Sequence, residues 1–235
     1  MPTPILGFLM FDPMYFLYVG PAILLALWAQ MKVKSTYASA SQHAARSGLS
    51  GAETAQHILQ AHGIRDVGIE PVRSFLGDHY DPRHKVLRLS PDVYSGRSLA
   101  SLGIAAHEVG HALQDAHGYG PLAIRNGLVP LASTGSTLSI ILVIAGLFLN
   151  MTGLAVAGLV VFSVVVLFQL VNLPVEFNAS KRARQILLSE GLVTDDEDQV
   201  VGKVLSAAAL TYVAATLTAI LTLLYYAMLV FGRRD

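Results

Sequence analysis

Residues 126–175 read NGLVPLASTGSTLSIILVIAGLFLNMTGLAVAGLVVFSVVVLFQLVNLPV, fifty residues without one Asp, Glu, Lys or Arg. As a single α-helix this stretch would be about 75 Å long, against a hydrocarbon core of about 30 Å, so it is too long to cross a bilayer once. Turn-forming residues interrupt it at Asn150-Met151-Thr152-Gly153. It is therefore read as a hairpin of two spans, 131–149 and 154–173. Two more charge-free stretches, 13–31 and 204–232, supply a first and a fourth span. The composition agrees: 53% of the 235 residues are hydrophobic and 14% charged, against about 25% charged in an ordinary soluble domain. Sixteen basic and sixteen acidic residues cancel, which leaves no electrostatic case for nucleic-acid binding. Cysteine is absent, so disulfide frameworks, thiolate metal sites and cysteine nucleophiles are excluded. Within residues 1–31 no basic residue precedes the apolar run, and Lys32 is the first, so the segment reads as a retained anchor rather than a cleaved signal peptide.

The remaining polar sequence falls in 32–125 and 176–203, and all eight histidines lie between His43 and His117. Two spans separate these segments, so both face the same compartment. Lys32, Lys34, Arg125, Lys181, Arg182, Arg184 and Lys203 flank the spans on that side, against Arg233 and Arg234 on the other. The bias predicts a cytoplasmic polar domain. The expected organisation is an N-terminal transmembrane helix (1–31), a polar domain (32–125), a transmembrane hairpin (126–175), a helix and linker (176–203) and a C-terminal transmembrane helix (204–235).

Local signals refine the polar segments. Ser50-Gly51-Ala52-Glu53 fits a capping box, with Gly63 placed to end the helix that follows. Residues 67–75 and 85–89 read as short strands, with 78–84 as the turn between them. A helix is expected from about Ser98 to Ala116, with Gly118 as its stop. Pro174 is placed to open another helix that reaches about Ser189. Thr194 is placed to cap the last helix, whose acidic first turn complements the helix dipole. The fold class is thus a mainly α, polytopic membrane protein with about four transmembrane helices and a small α+β domain on the cytosolic side.

The chemistry is concentrated in His107-Glu108-Val109-Gly110-His111. Two histidines four apart share one helical face, so both imidazoles reach a single Zn2+ ion. Glu108, beside the first ligand, is placed to act as general base toward a metal-activated water. Random placement of eight His and six Glu in 235 residues produces this pattern in about 0.007 of chains, so the match is specific. A catalytic zinc takes a third protein ligand and keeps a fourth position open. Glu176 is the best candidate, since the hairpin returns it to the side of His107. A carboxylate so near an apolar boundary is costly unless paired or metal-bound.

His107–His111 followed by Glu176-Phe177-Asn178-Ala179-Ser180 resembles the gluzincin arrangement, and most closely the neutral zinc metallopeptidases of bacterial membranes (the YugP-type family). Asp78-His79-Tyr80-Asp81-Pro82, Ser90-Pro91-Asp92-Val93-Tyr94, Ala112-Leu113-Gln114 and Leu173-Pro174-Val175 carry the same likeness, which covers nearly the whole chain. The resemblance implies a zincin-like domain, zinc held by His107, His111 and Glu176, and Glu108 as general base. It also implies a multi-pass protein of the bacterial inner membrane. More distantly, the chain is similar to membrane proteases that carry an acidic residue four positions after their ligand glutamate. Ser180 stands there instead. Asp115, four residues after His111, either orients a ligand imidazole or is a solvated charge.

The oxyanion that develops during peptide hydrolysis needs a donor. His79, Tyr80, His117, Tyr119, Arg182 and Arg184 are all candidates, with His79 favoured as a possible transition-state stabiliser because its turn adjoins the strands. His43, His57 and His62 are expected on exposed helix faces. The leading expectation is a membrane-embedded zinc endopeptidase acting on peptides or membrane proteins, with the lipid bilayer as its other partner. The alternative is a non-proteolytic scaffold or accessory protein whose structural zinc is closed by a fourth ligand, Asp78 or His79. A transporter fits less well, because the spans carry no ionisable residue.

Overall fold

The computed structural model describes residues 13–73 and 77–232. In chain order they form helix α1 (Pro13–Ser41), helix α2 (Gly51–Ala61), strands β1 (Gly68–Pro71), β2 (His79–Asp81) and β3 (Val86–Leu89), the one-turn helix α3 (Pro91–Tyr94), and helices α4 (Leu99–Ala116), α5 (Gly120–Phe148), α6 (Thr152–Ser189) and α7 (Asp195–Phe231). The fold is mainly α, as the charge distribution predicts. Helices α1, α5, α6 and α7 are each long and apolar enough to cross a membrane. Phe75, at the end of the expected first strand, and Arg233 and Arg234, which enter the charge-bias argument, lie outside the described residues.

The chain divides into two units. The first takes in residues 13–28, 124–173 and 211–232. Here the helix breaks at Leu149-Asn150-Met151, where the expected turn lies, and Asn150 adopts a left-handed φ of 53°. Helices α5 and α6 then pack back on each other through small residues. A Cβ at position 158 would lie 2.7 Å from the backbone nitrogen of Val143, so only glycine permits this approach. Val143, Leu147, Ala155, Leu159 and Val230 form the buried seam beside it. Leu17, Leu24, Ile141, Val160 and Leu224 point outward. In water such surface would be a liability, whereas in hydrocarbon it is the ordinary state of a spanning helix. Thr216 and Thr218 return their hydroxyls to the carbonyls of Tyr212 and Ala214, so these threonines add no unpaired polar group.

The second unit takes in residues 29–123 and 174–210. Its centre is α4, fourteen of whose eighteen residues are buried. Leu102, Val109 and Leu113 on α4 meet Ile58 and Leu59 of α2, Leu87 and Leu89 of β3, Val93 of α3, Leu187 of α6 and Val201 of α7. Each such side chain, fully buried, contributes about 1.5–3 kcal/mol. Ser98 caps α4 by accepting from the backbone N–H of Ser101 at 3.2 Å. Gly118, at φ 61°, ends the helix in a conformation that L side chains disfavour. The expected capping box at Ser50 and Glu53 is present, and a second one, between Thr194 and Glu197, opens α7.

Two local expectations are corrected. Residues 78–84 were expected to be wholly turn, yet His79–Asp81 is a strand that pairs antiparallel with β3, placing Tyr80 opposite Leu87. The sheet order is β1-β3-β2, with β1 parallel to β3. A three-residue strand is too short to show a period-2 pattern, and pairing with β3 and burial of Tyr80 on α4 stabilise it instead. Pro174 was expected to start a new helix, yet α6 runs through it unbroken. Beyond the proline, Val175, Ala179, Ala183 and Leu187 form an i, i+4 stripe with 0% exposure. Burial of that stripe outweighs the one hydrogen bond that a helical proline forfeits. The boundary between the two units nonetheless falls between Leu173 and Pro174.

Candidate metal centre

The geometry of the site begins with helical spacing. His107 and His111 lie one turn apart on α4, and their rings meet edge to face with centroids 4.8 Å apart. Helix α6 supplies Glu176, whose side chain is 4% exposed. Its Oε2 lies 3.3 Å from Nε2 of His107 and 3.7 Å from Nε2 of His111. Among the described residues these three form the group able to hold a metal, with one ligand atom from each within 4.8 Å of the others. Two imidazoles and a carboxylate are the donor types of an open zinc site. The residues fit a zinc ion.

The histidines present Nε2 because their other nitrogens are engaged. Nδ1 of His107 lies 3.2 Å from the hydroxyl of Ser180, one turn beyond Glu176 on the same face of α6. Nδ1 of His111 lies 3.0 Å from Oε1 of Gln114. Burial opposes the charged form of His111, but the carboxylates of Glu176 and Glu108 outweigh it and raise the imidazole above its ordinary value.

Glu108 is buried beside the ligands, and its Oε2 accepts the backbone N–H of Tyr80 at 3.0 Å. Strand β2 therefore touches the motif directly. The hydroxyl of Tyr80 donates to Asp115 at 2.8 Å, and Lys85 closes on the same carboxylate at 2.6 Å. Asp115 therefore anchors β2 to α4. The imidazole-orienting place goes to Gln114, at i+3 from His111, rather than to Asp115 at i+4. Burial and the Asp115 carboxylate push the Tyr80 hydroxyl well above the usual tyrosine range, so it remains a donor.

The other sequence-predicted residues are placed as follows. His79 is exposed, faces away from Tyr80 on alternate sides of β2, and pairs through Nδ1 with the carbonyl of Gly77 at 2.8 Å. Arg184 is held by Asp198. Arg182 donates through Nε to Oδ1 of Asn178 at 2.8 Å and approaches His117 at 3.5 Å. Tyr119 reaches the carbonyl of Pro174 at 3.5 Å. His43, His57 and His62 are exposed, as expected. Sequence reasoning missed the backbone N–H of Tyr80 and the roles of Gln114 and Ser180. Gln114 was findable, since i+3 spacing places it beside His111; the others depend on contacts between elements.

A family model described as "Putative neutral zinc metallopeptidase" matches residues 15–231. The chain is 48% identical over 223 residues to the "Putative membrane protease YugP" of Bacillus subtilis (strain 168), covering 94% of this chain and 99% of that one. No solved structure matches significantly. Four of the described helices are long and apolar enough to cross a membrane, which together with this relative makes the chain a multi-pass membrane protein, and it belongs to the family described as "Putative neutral zinc metallopeptidase".

Proposed function

We propose that the protein is a membrane-embedded, zinc-dependent endopeptidase with His107, His111 and Glu176 as metal ligands and Glu108 as general base. The observation that carries this reading is the convergence within 4.8 Å of three potential ligand atoms, two from α4 and one from α6, beside Glu108, a buried carboxylate held by a strand backbone. In such a site the zinc ion supplies Lewis acidity toward a carbonyl and a water whose pKa is lowered toward ~7. The chain's own residues do the rest. His107, His111 and Glu176 would hold the ion. The N–H of Tyr80 orients the Glu108 carboxylate through Oε2, leaving Oε1 to take a proton and pass it to the leaving amine.

An open coordination position separates this reading from a structural zinc site, which needs a fourth protein ligand. The two residues considered for that role are occupied. Asp78 accepts from both the backbone N–H and the hydroxyl of Ser90, and His79 pairs with Gly77. The substrate class we assign is peptides or membrane proteins, because α6, the helix that carries Glu176, begins in an apolar stretch. The excess of basic residues flanking the spans on the polar-segment side supports a cytoplasmic active site in the bacterial inner membrane.

The test is Glu108→Gln in purified full-length protein. Zinc is expected to remain stoichiometric while cleavage of a casein-like substrate falls by about 10²–10⁴-fold. Cleavage at the wild-type rate would end the proposal.

A further inference from the structure

Resting on the zinc reading, we propose that Gln114 is a positioning residue of the metal centre: it sets which nitrogen of His111 faces the ion and ties that ligand to the turn of α6 that carries Glu176. Gln114 is completely buried. Its Nε2 lies 2.8 Å from the carbonyl oxygen of Val175 and 3.0 Å from Oδ1 of Asn178. The Asn178 amide is itself oriented, because Nε of Arg182 donates to that Oδ1. Both neighbours on this side of Gln114 are thus acceptors, so its NH₂ must face them and its Oε1 must face His111. A flipped amide would set one oxygen against two others in a buried site, each lost hydrogen bond costing about 1–3 kcal/mol.

A carbonyl oxygen can only accept, so His111 is required to carry its proton on Nδ1. Its Nε2 is left as a lone pair, and that nitrogen is the one 3.7 Å from Glu176. Ser180 does not impose the same choice on His107, since a hydroxyl both donates and accepts. One buried amide therefore does two things. It selects the metal-binding tautomer of one ligand, and it bonds to the backbone of Val175, the residue before another ligand. Both partners are neutral, so the orientation is achieved without adding a carboxylate to the site.

The experiment measures Zn2+ affinity of the purified full-length protein by competition with a chromogenic chelator, alongside unfolding temperature in excess chelator. Gln114→Leu removes the amide at similar volume. Gln114→Asn keeps a buried amide but withdraws it by one carbon, which guards against a variant that fails to fold. Both are expected to bind zinc about 10–100-fold more weakly than wild type. Cobalt-substituted wild type should show a tetrahedral visible spectrum that the variants lose or shift. A purely structural role would lower the unfolding temperature in chelator but leave the zinc affinity of the folded protein unchanged, and that result would overturn the inference. Wild type that binds no zinc would overturn the reading beneath it instead.

Discussion

Gly110 on α4 and Ala179 on α6 stand in backbone contact: a Cβ at position 110 would lie 2.8 Å from the carbonyl oxygen of Ala179 and 3.2 Å from its Cα. Position 110 sits between His107 and His111, and position 179 lies three residues past Glu176. The distance between donors on different helices is therefore set by the absence of one methyl group.

Gly110→Ala should accordingly push the helices apart at the point where His107 and His111 face Glu176. Overpacking of this kind costs about 1–3 kcal/mol. Because the displacement falls on the ligand axis, the zinc content of the purified protein should drop more than its helix content. Circular dichroism with metal analysis checks both, and full zinc loading would show that the helices give way elsewhere.

Asp115 receives the Tyr80 hydroxyl and the Lys85 ammonium, whereas His107 and His111 hydrogen-bond to Ser180 and Gln114. Asp115→Ala should therefore free β2 while sparing the metal. Losing hydrogen bonds to a charged group predicts a destabilisation of about 1.5–3 kcal/mol. Zinc affinity should stay within about threefold of wild type, well short of the loss that follows removal of a ligand-orienting group. Proteolysis should fall, since the N–H that orients Glu108 belongs to the released strand. A loss of zinc affinity equal to that of a ligand mutant would refute this division of labour.

Asp81 gives a pH signature. Hydrogen bonds from Arg88 and His84 hold its carboxyl well below the usual carboxylate range. A carboxylate depressed in the folded state stabilises it above the unfolded value of about 3.9, and that contribution is lost as pH falls through and below that value. The pairing lies near the surface, so at pH 7 Asp81→Asn should cost only about 1 kcal/mol. The gap between wild type and variant should shrink steadily below about pH 4. Thermal unfolding of both proteins from pH 3 to 7 measures it, and a constant gap would mean that the contribution is not ionic.

How much of this was legible beforehand depends on the range of the interaction. The four apolar helices are visible because a bilayer imposes a length and forbids charge, and both constraints apply to consecutive residues. The same holds for the Ser50 and Thr194 caps and for the pairing of His107 with His111. Strand β2 and the continuation of α6 through Pro174 were not legible, since His79–Asp81 is stabilised by β3 and the stripe after Pro174 by the core.

The amino-acid order by itself pointed to two histidines on one helical face and a glutamate just beyond an apolar hairpin, since helical periodicity and the run of uncharged residues are properties of the chain alone. Only the tertiary structure decided that Glu176 meets them, that Gln114 rather than Asp115 orients His111, and that Tyr80 holds Glu108. Each of these contacts joins residues brought together by packing, and which side chain completes a buried hydrogen bond depends on where the neighbouring backbone comes to rest.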